Sequence, residues 1–225
     1  MTRAGSIAAI EKSLRRRFRV VETCVQIGGQ TLSIVHPASA EDLISEVDFD
    51  RDERLPYWAE LWPSSRTLAE FIRPLAGDHR SLLELGCGAG LVATSAALAG
   101  FDVVASDYYE DACRFARVNA IRNGGGPIRG KLLDWRALPS RLERFDVVVA
   151  SDVLYERPYA ALVAQTIARS LADDGVAFVA DPGRVGREDF LARLGGEGLA
   201  LRRRTALPFA DGAVRQTIAI FEIAR

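Results

Sequence analysis

The stretch Ser81-Leu82-Leu83-Glu84-Leu85-Gly86-Cys87-Gly88-Ala89-Gly90-Leu91 decides the fold. A short apolar run, Ser81–Leu85, stops at three alternate glycines, and small apolar residues follow from Ala89 to Ala99. This reads as a strand, a glycine turn and a helix. Glycine lets the backbone turn tightly and approach a ligand without a Cβ clash. The start of the helix offers free N–H groups to negative charge. Such a turn suits a nicotinamide dinucleotide, a methyl-donor nucleoside or plain helix–strand packing. Two residues narrow the choice. The dinucleotide pattern needs Gly or Ala at position 91, and Leu91 is there. Glu84, at the strand end, would repel a pyrophosphate, whereas a methionine ammonium and sulfonium would welcome it, directly or through water.

Downstream, apolar runs keep alternating with helical periods. Strands are expected over Asp102–Ser106, Ile128–Leu133, Phe145–Ala150 and Val176–Ala180. Helices are expected over Glu110–Arg122, Tyr159–Leu171, closed by Asp173-Asp174-Gly175, and Arg187–Leu194. Leu199–Leu207 and Val214–Ile223 flank Asp211-Gly212 as a hairpin. Alternating βα units require a parallel sheet covered by helices on both faces. The final hairpin adds an antiparallel strand. The fold class is therefore α/β, a Rossmann-like seven-stranded, mostly parallel sheet. Its ligands belong beyond the carboxyl ends of the strands.

Residues 1–75 differ in character from residues 76–225. Ile7, Ile10, Leu14 and Phe18 have helical spacing, and Arg19 to Val35 reads as a hairpin around Gly28-Gly29. Ser39 to Asp52 is acidic, read as a short helix then a loop, and Pro63 opens a helix running to Arg73. We read 1–75 as an extension (helix, hairpin and Trp-Pro segment) packed on a ligand-binding domain of residues 76–225.

Two carboxylates follow the next strands. Asp107, 17 residues past Gly90, is placed to accept both ribose hydroxyls of a nucleoside. Its structural alternative is a helix cap. Asp134 can accept from an adenine amino group while Trp135 stacks on the base. Their alternative is a turn aspartate beside a core tryptophan. Taken in order, Glu84 to Gly90, Asp107 and Leu133-Asp134-Trp135 resemble the first motifs of the seven-β-strand class I methyltransferases. That resemblance implies S-adenosylmethionine as cofactor and S-adenosylhomocysteine as product. It implies a donor site of Trp62, Glu84, Gly86, Cys87, Gly88, Gly90, Asp107, Tyr108, Asp134, Trp135 and Ser151.

The end of the fourth strand faces the acceptor in such a fold. Amino-methylating nucleobase enzymes carry a Pro pair and an aromatic there, and Ser151-Asp152-Val153-Leu154-Tyr155 has no Pro pair. Cys24, Cys87 and Cys113 are misplaced for a cytosine-C5 nucleophile. The Asp152-x-x-Tyr155 spacing resembles the lysine methyltransferase branch. So do Pro56-Tyr57-Trp58-Ala59-Glu60-Leu61-Trp62-Pro63 and Asp181-Pro182-Gly183-Arg184. These two stretches look like the group containing the electron-transfer flavoprotein β-subunit enzyme. That enzyme follows Trp-Pro with Gly-Gly, and here Ser64-Ser65 follows, so its substrate is not carried over. The resemblance implies Asp152 and Tyr155 as the catalytic pair, Asp152 docking an amine and Tyr155 orienting its lone pair. The alternative for that pair is a loop cap. For Trp58 and Trp62 the alternative is core packing.

Composition narrows the partners. The net charge of −1 disfavours bulk nucleic-acid binding, and Arg15–Arg17 and Arg202–Arg204 read as solvated faces. No CxxC spacing occurs and only His36 and His79 could contribute imidazole, so no metal is expected. No signal peptide or membrane span is legible, and a cytoplasmic chain is the expectation. A protein substrate heads the reading. A small-molecule acceptor and a non-catalytic interaction module stay as alternatives.

Overall fold

Five parallel strands set the frame, and the first of them leads into the glycine turn. The computed structural model describes residues 3–40, residue 43 and residues 57–225. Most of the acidic stretch expected as a short helix lies outside the described residues. Helix α1 (Arg3–Arg17) leads into a hairpin of β1 (Val20–Ile27) and β2 (Gln30–Pro37). Helix α2 (Pro63–Ile72) opens on Pro63, whose fixed φ and missing N–H suit a first helical turn. Then come β3 (Ser81–Leu85), α3 (Leu91–Leu98), β4 (Asp102–Asp107), α4 (Glu110–Arg122) and β5 (Arg129–Leu132). The chain continues with β6 (Phe145–Ser151), α5 (Arg157–Ser170), β7 (Leu171–Asp181), α6 (Arg187–Arg193), β8 (Ala200–Asp211) and β9 (Val214–Ala224).

The seven-stranded sheet has the order β5-β4-β3-β6-β7-β9-β8. β5, β4, β3, β6 and β7 are parallel, and β9 runs antiparallel between β7 and β8. The expected mixed sheet is therefore the observed one. Alternate side chains serve opposite faces. Leu82, Val103, Ala105, Val147 and Val149 pack under α2, α3 and α4. Leu83, Leu85, Val104, Val148 and Ala150 pack under α5 and α6. The chain winds away from β3 in both directions, to β4 on one side and β6 on the other. The crevice at their carboxyl ends is where such a sheet takes ligands.

The boundaries shift where local chemistry overrides pattern. The helix expected from Ala89 starts at Leu91, because Gly90 has φ +80° and cannot be helix interior. Strand β7 begins at Leu171, opposite Phe145, and its register slips before Val176. Asp173-Asp174-Gly175 thus sits in an irregular strand start and not in the helix end.

The N-terminal hairpin is bound to α4 by two asparagines. Buried Asn119 accepts from Val35 N (2.9 Å) and donates to Val35 O and Ala89 O (both 2.8 Å). Asn123 repeats the pairing on Ser33, accepting from its N (2.8 Å) and donating to its O (2.9 Å). The same Asn119 amide therefore ties the hairpin to the glycine turn. Leu14, Val35, Phe115 and Val118 bury together at this junction, with Phe18 and Trp58 against them.

Candidate active site

The glycine turn is built by its backbone. Gly86, Gly88 and Gly90 have φ of +68°, +49° and +80°, a region costly for any residue with a Cβ. Gly90 meets a second demand. A Cβ there would lie 2.3 Å from the Ala116 Cβ, so α4 packs directly on the turn. A Cβ on Gly88 would stand 3.0 Å from Trp58 O, and one on Gly86 3.2 Å from Val153 Cγ1 and 3.6 Å from the Trp135 ring. Cys87 N donates to Ser106 O (2.9 Å) and stitches the turn to β4. The Cys87 thiol is buried, and burial pushes its pKa well up, so it is no thiolate nucleophile.

Glu84 departs from the sequence expectation. It is 2% exposed, does not line the cleft, and accepts from Ala93 N (2.8 Å) in the first turn of α3. Leu83 and Leu85 point to the α5 face, so Glu84 points the other way, under α3. Burial, above all, holds its carboxyl well above the ordinary range. Here the side chain holds the helix that carries the turn.

Asp107 ends β4. Its Oδ2 accepts from Gly88 N and its Oδ1 from Tyr109 N, both at 3.0 Å. The Tyr108 N–H also acts on this carboxylate, which keeps acceptor capacity for a further donor. Burial pushes its pKa up to about 6 against the pull of those backbone N–H groups. Asp134 caps a short turn (Trp135–Ala137), accepting from Arg136 N (2.9 Å) and from the Arg136 guanidinium (3.0 Å). The Arg136 guanidinium lies 5.2 Å from the Tyr108 ring centroid. Trp135 stands edge-on to Tyr159, with its Nε1 buried and without a hydrogen-bond partner.

The acceptor side is assembled from distant segments. Asp152 follows β6 with φ +59°, a strained value that costs about 1–2 kcal/mol for most residues and least for Asp and Asn. Its N–H donates to Ala180 O (3.0 Å). Its Oδ1 accepts from Arg184 Nε at 2.5 Å, and its Oδ2 is buried with no partner among the described residues. Arg184 also lies over the Trp62 ring, 5.3 Å from its centroid. Trp62 Nε1 donates to Tyr57 O (3.0 Å), and the Tyr57 ring stands 5.4 Å from Tyr155, which stands 5.1 Å from Tyr159. Arg184 itself is held by Asp181, which accepts from Arg184 N (3.0 Å) and Gly183 N (2.8 Å). Burial raises the Asp181 pKa despite those bonds.

One cleft gathers these parts. Trp62, Gly86, Cys87, Gly88, Gly90, Asp107, Tyr108, Asp134, Trp135, Ser151, Asp152 and Tyr155 all line it, and Glu84 alone of the expected residues does not. Sequence reasoning missed Arg184 as the partner of Asp152 and Asn119 as the support of the glycine turn. Arg184 lay in the Asp181-Pro182-Gly183-Arg184 stretch already singled out, and Asn119 was a polar residue among the apolar positions of α4. Trp58 is packed with Phe18, Phe115 and Tyr109 while its backbone borders the turn.

A family model described as a methyltransferase domain matches residues 54–211, most of the chain and all of this cleft. The chain belongs to that family. Its methyl donor is S-adenosylmethionine. The cleft fits this nucleoside: three left-handed glycines leave a cradle open, Asp107 offers paired acceptors, and Trp135 Nε1 waits for an acceptor. Among relatives, the chain is 30% identical over 138 residues to the electron transfer flavoprotein beta subunit lysine methyltransferase of Danio rerio. The match covers 60% of this chain and 53% of that one. It is 31% identical over 116 residues to protein-lysine methyltransferase METTL21E of Mus musculus, covering 46% and 47%. The chain thus spans about half the length of these curated relatives. The solved magnesium protoporphyrin IX methyltransferase from Synechocystis, with S-adenosylmethionine bound, shares the fold. It has a TM-score of 0.58 at 20% identity, covering 82% of this chain and 94% of that one. Among the described residues no helix is long and apolar enough to cross a membrane.

Proposed function

We propose that the protein transfers methyl groups from S-adenosylmethionine to a lysine side-chain amine of a protein substrate. One observation carries the reading. A carboxylate, Asp152, lies at the end of β6 in the cleft, with Oδ2 unpartnered and the aromatic rings of Tyr57, Trp62 and Tyr155 close by. An amine has N–H groups for that oxygen, and a cation is drawn to aromatic faces. The partial likeness to two protein-lysine methyltransferases supports the same choice. In this proposal residues 1–75 wall the acceptor side through Tyr57, Trp62 covers the cofactor where donor and acceptor meet, and residues 76–225 bind the rest of the donor.

The division of labour follows from the residues. The glycine turn and the start of α3 hold the methionine part, Asp107 the ribose hydroxyls, and Asp134 with Trp135 the adenine. When bound, S-adenosylmethionine supplies a methyl already made electrophilic by its sulfonium. The chain therefore needs no covalent nucleophile, and positioning alone lowers a barrier by about 7–11 kcal/mol. Asp152 accepts from the incoming amine, and Tyr155 sets the direction of its lone pair. A free lysine ammonium, with a pKa of about 10.4, needs about 4–5 kcal/mol to be neutral at pH 7. Desolvation between the rings supplies part of this.

The test is label transfer from tritiated S-adenosylmethionine into a lysate of cells lacking the gene. A discrete labelled protein band that yields methyl-lysine on hydrolysis is the expected result. Label confined to the low-mass fraction would replace this reading with a small-molecule acceptor.

A further inference from the structure

A carboxylate beside an amine creates a difficulty. It stabilises the ammonium form, which has no lone pair, and so opposes the reaction. The structure contains a counterweight. The Arg184 guanidinium holds Asp152 Oδ1 at 2.5 Å and leaves Oδ2 unused. Arg184 is not itself among the cleft-lining residues, and its side chain is partly exposed where it meets Asp152. It is braced there by the Trp62 face and by its own backbone N–H on Asp181. Asp152 sits in the left-handed region, φ +59°, which Asp tolerates better than most residues.

We infer that Arg184 is a positioning residue: it cancels the charge of Asp152, so that Oδ2 can orient the acceptor amine without holding its proton. The inference rests on the lysine reading above. With the pair neutral, Asp152 acts as a hydrogen-bond acceptor in place of a counter-ion, and the amine gives up its proton to water before reacting. Other ionisable groups nearby are Asp181 beside Arg184, Arg187 of α6 acting on Asp181, Glu60, Tyr57, Tyr155 and Tyr159 along the cleft, and Asp107, Tyr108, Tyr109, Asp134 and Arg136 on its donor side. Asp181 is buried, takes two backbone N–H bonds beside Arg184, and its charge acts on Asp152 directly, with Arg187 opposing it, so a second carboxylate and a second guanidinium balance behind the pair.

The experiment is the pH profile of tritium transfer by the full chain into dialysed lysate protein, with the product hydrolysed to identify the labelled residue. Arg184→Gln should move the midpoint of the rate profile upward by about one pH unit, the smaller end of what a lost neighbouring charge does. The rate at pH 7 should fall about tenfold and recover near pH 9.5. Arg184→Lys keeps the charge, so its midpoint should stay while KM rises. Arg184→Gln with Asp152→Asn removes both charges, and its midpoint should return to the wild-type position at a lower rate. Binding of S-adenosylhomocysteine should be unaffected in all three variants, which also shows that they fold. A uniform loss at every pH, or an equal shift in Arg184→Lys, would overturn the inference. Should Arg184→Gln not fold, the lysine variant still decides it through the position of its midpoint. Label in a residue other than lysine would instead bring down the lysine reading, a separate result.

Discussion

In the division proposed above, the donor side and the acceptor side of the cleft are built differently. The donor side comes from the ends of β3, β4 and β5, neighbours in the sheet, and from turns that follow directly on those strands. Its polar groups already hold one another: Asp107 holds Gly88 N and Tyr109 N, and Asp134 holds Arg136. The acceptor side joins Tyr57, Trp62, Asp152 and Arg184 from three distant parts of the chain through ring contacts and one ion pair. It also leaves a buried oxygen unpaired. A shared cofactor calls for the first kind of construction, and an acceptor that differs between relatives calls for the second. The difference teaches that the two sides should fail separately when mutated.

The largest blow to the donor side is Gly90→Val. The substitution meets Ala116 and a φ of +80° together. We expect a loss of about 2–4 kcal/mol in denaturant unfolding, from strain and overpacking, and no measurable binding of S-adenosylhomocysteine. Retained binding would mean that α4 does not press on the turn.

A smaller effect comes from the titration of Asp107. Its folded pKa, about 6, lies above its ordinary 3.8. The folded protein therefore takes up a proton first as pH falls, and this group adds stability as pH drops from about 6 to 4. That contribution is lost as pH rises through about 6. Donor binding should run the other way, because the ionised carboxylate is the better acceptor for ribose hydroxyls. Calorimetry with S-adenosylhomocysteine should weaken about tenfold between pH 7.5 and 5 in the wild type, and much less in Asp107→Asn. Equal pH dependence in both would remove Asp107 from the ribose.

The smallest effect should be that of Glu84→Gln. A glutamine oxygen can still accept from Ala93 N–H, so donor affinity should change by less than about threefold. A loss of tenfold or more would restore a contact between Glu84 and the methionine part, direct or through water.

The sequence made the donor side legible because its signals are local. Strand β3 and helix α4 fall where periodicity puts them, Ser81–Leu85 and Glu110–Arg122. Glycine spacing announced the turn, and Asp107 and Asp134 follow strand ends directly. The direction of Glu84 was also available, since alternation with Leu83 and Leu85 sends it under α3, but its charge suggested a ligand instead. The pairing of Asp152 with Arg184 was not legible. It spans 32 residues and depends on where two loops meet above the sheet. The Asn119 bridge to Val35, 84 residues away, was hidden for the same reason. A helical period reports which face is buried, but not what a polar residue on it will hold.

The most direct test of the two-sided cleft pairs Asp152→Ala with Asp107→Ala and measures turnover and S-adenosylhomocysteine affinity on both. Asp152→Ala should lose about a hundredfold or more in transfer while its affinity stays within about twofold of the wild type. Asp107→Ala should lose affinity first, by about tenfold or more, from the missing charged acceptor. If Asp152→Ala loses donor binding as fully as it loses transfer, Asp152 belongs to the donor side and the separation proposed here is wrong.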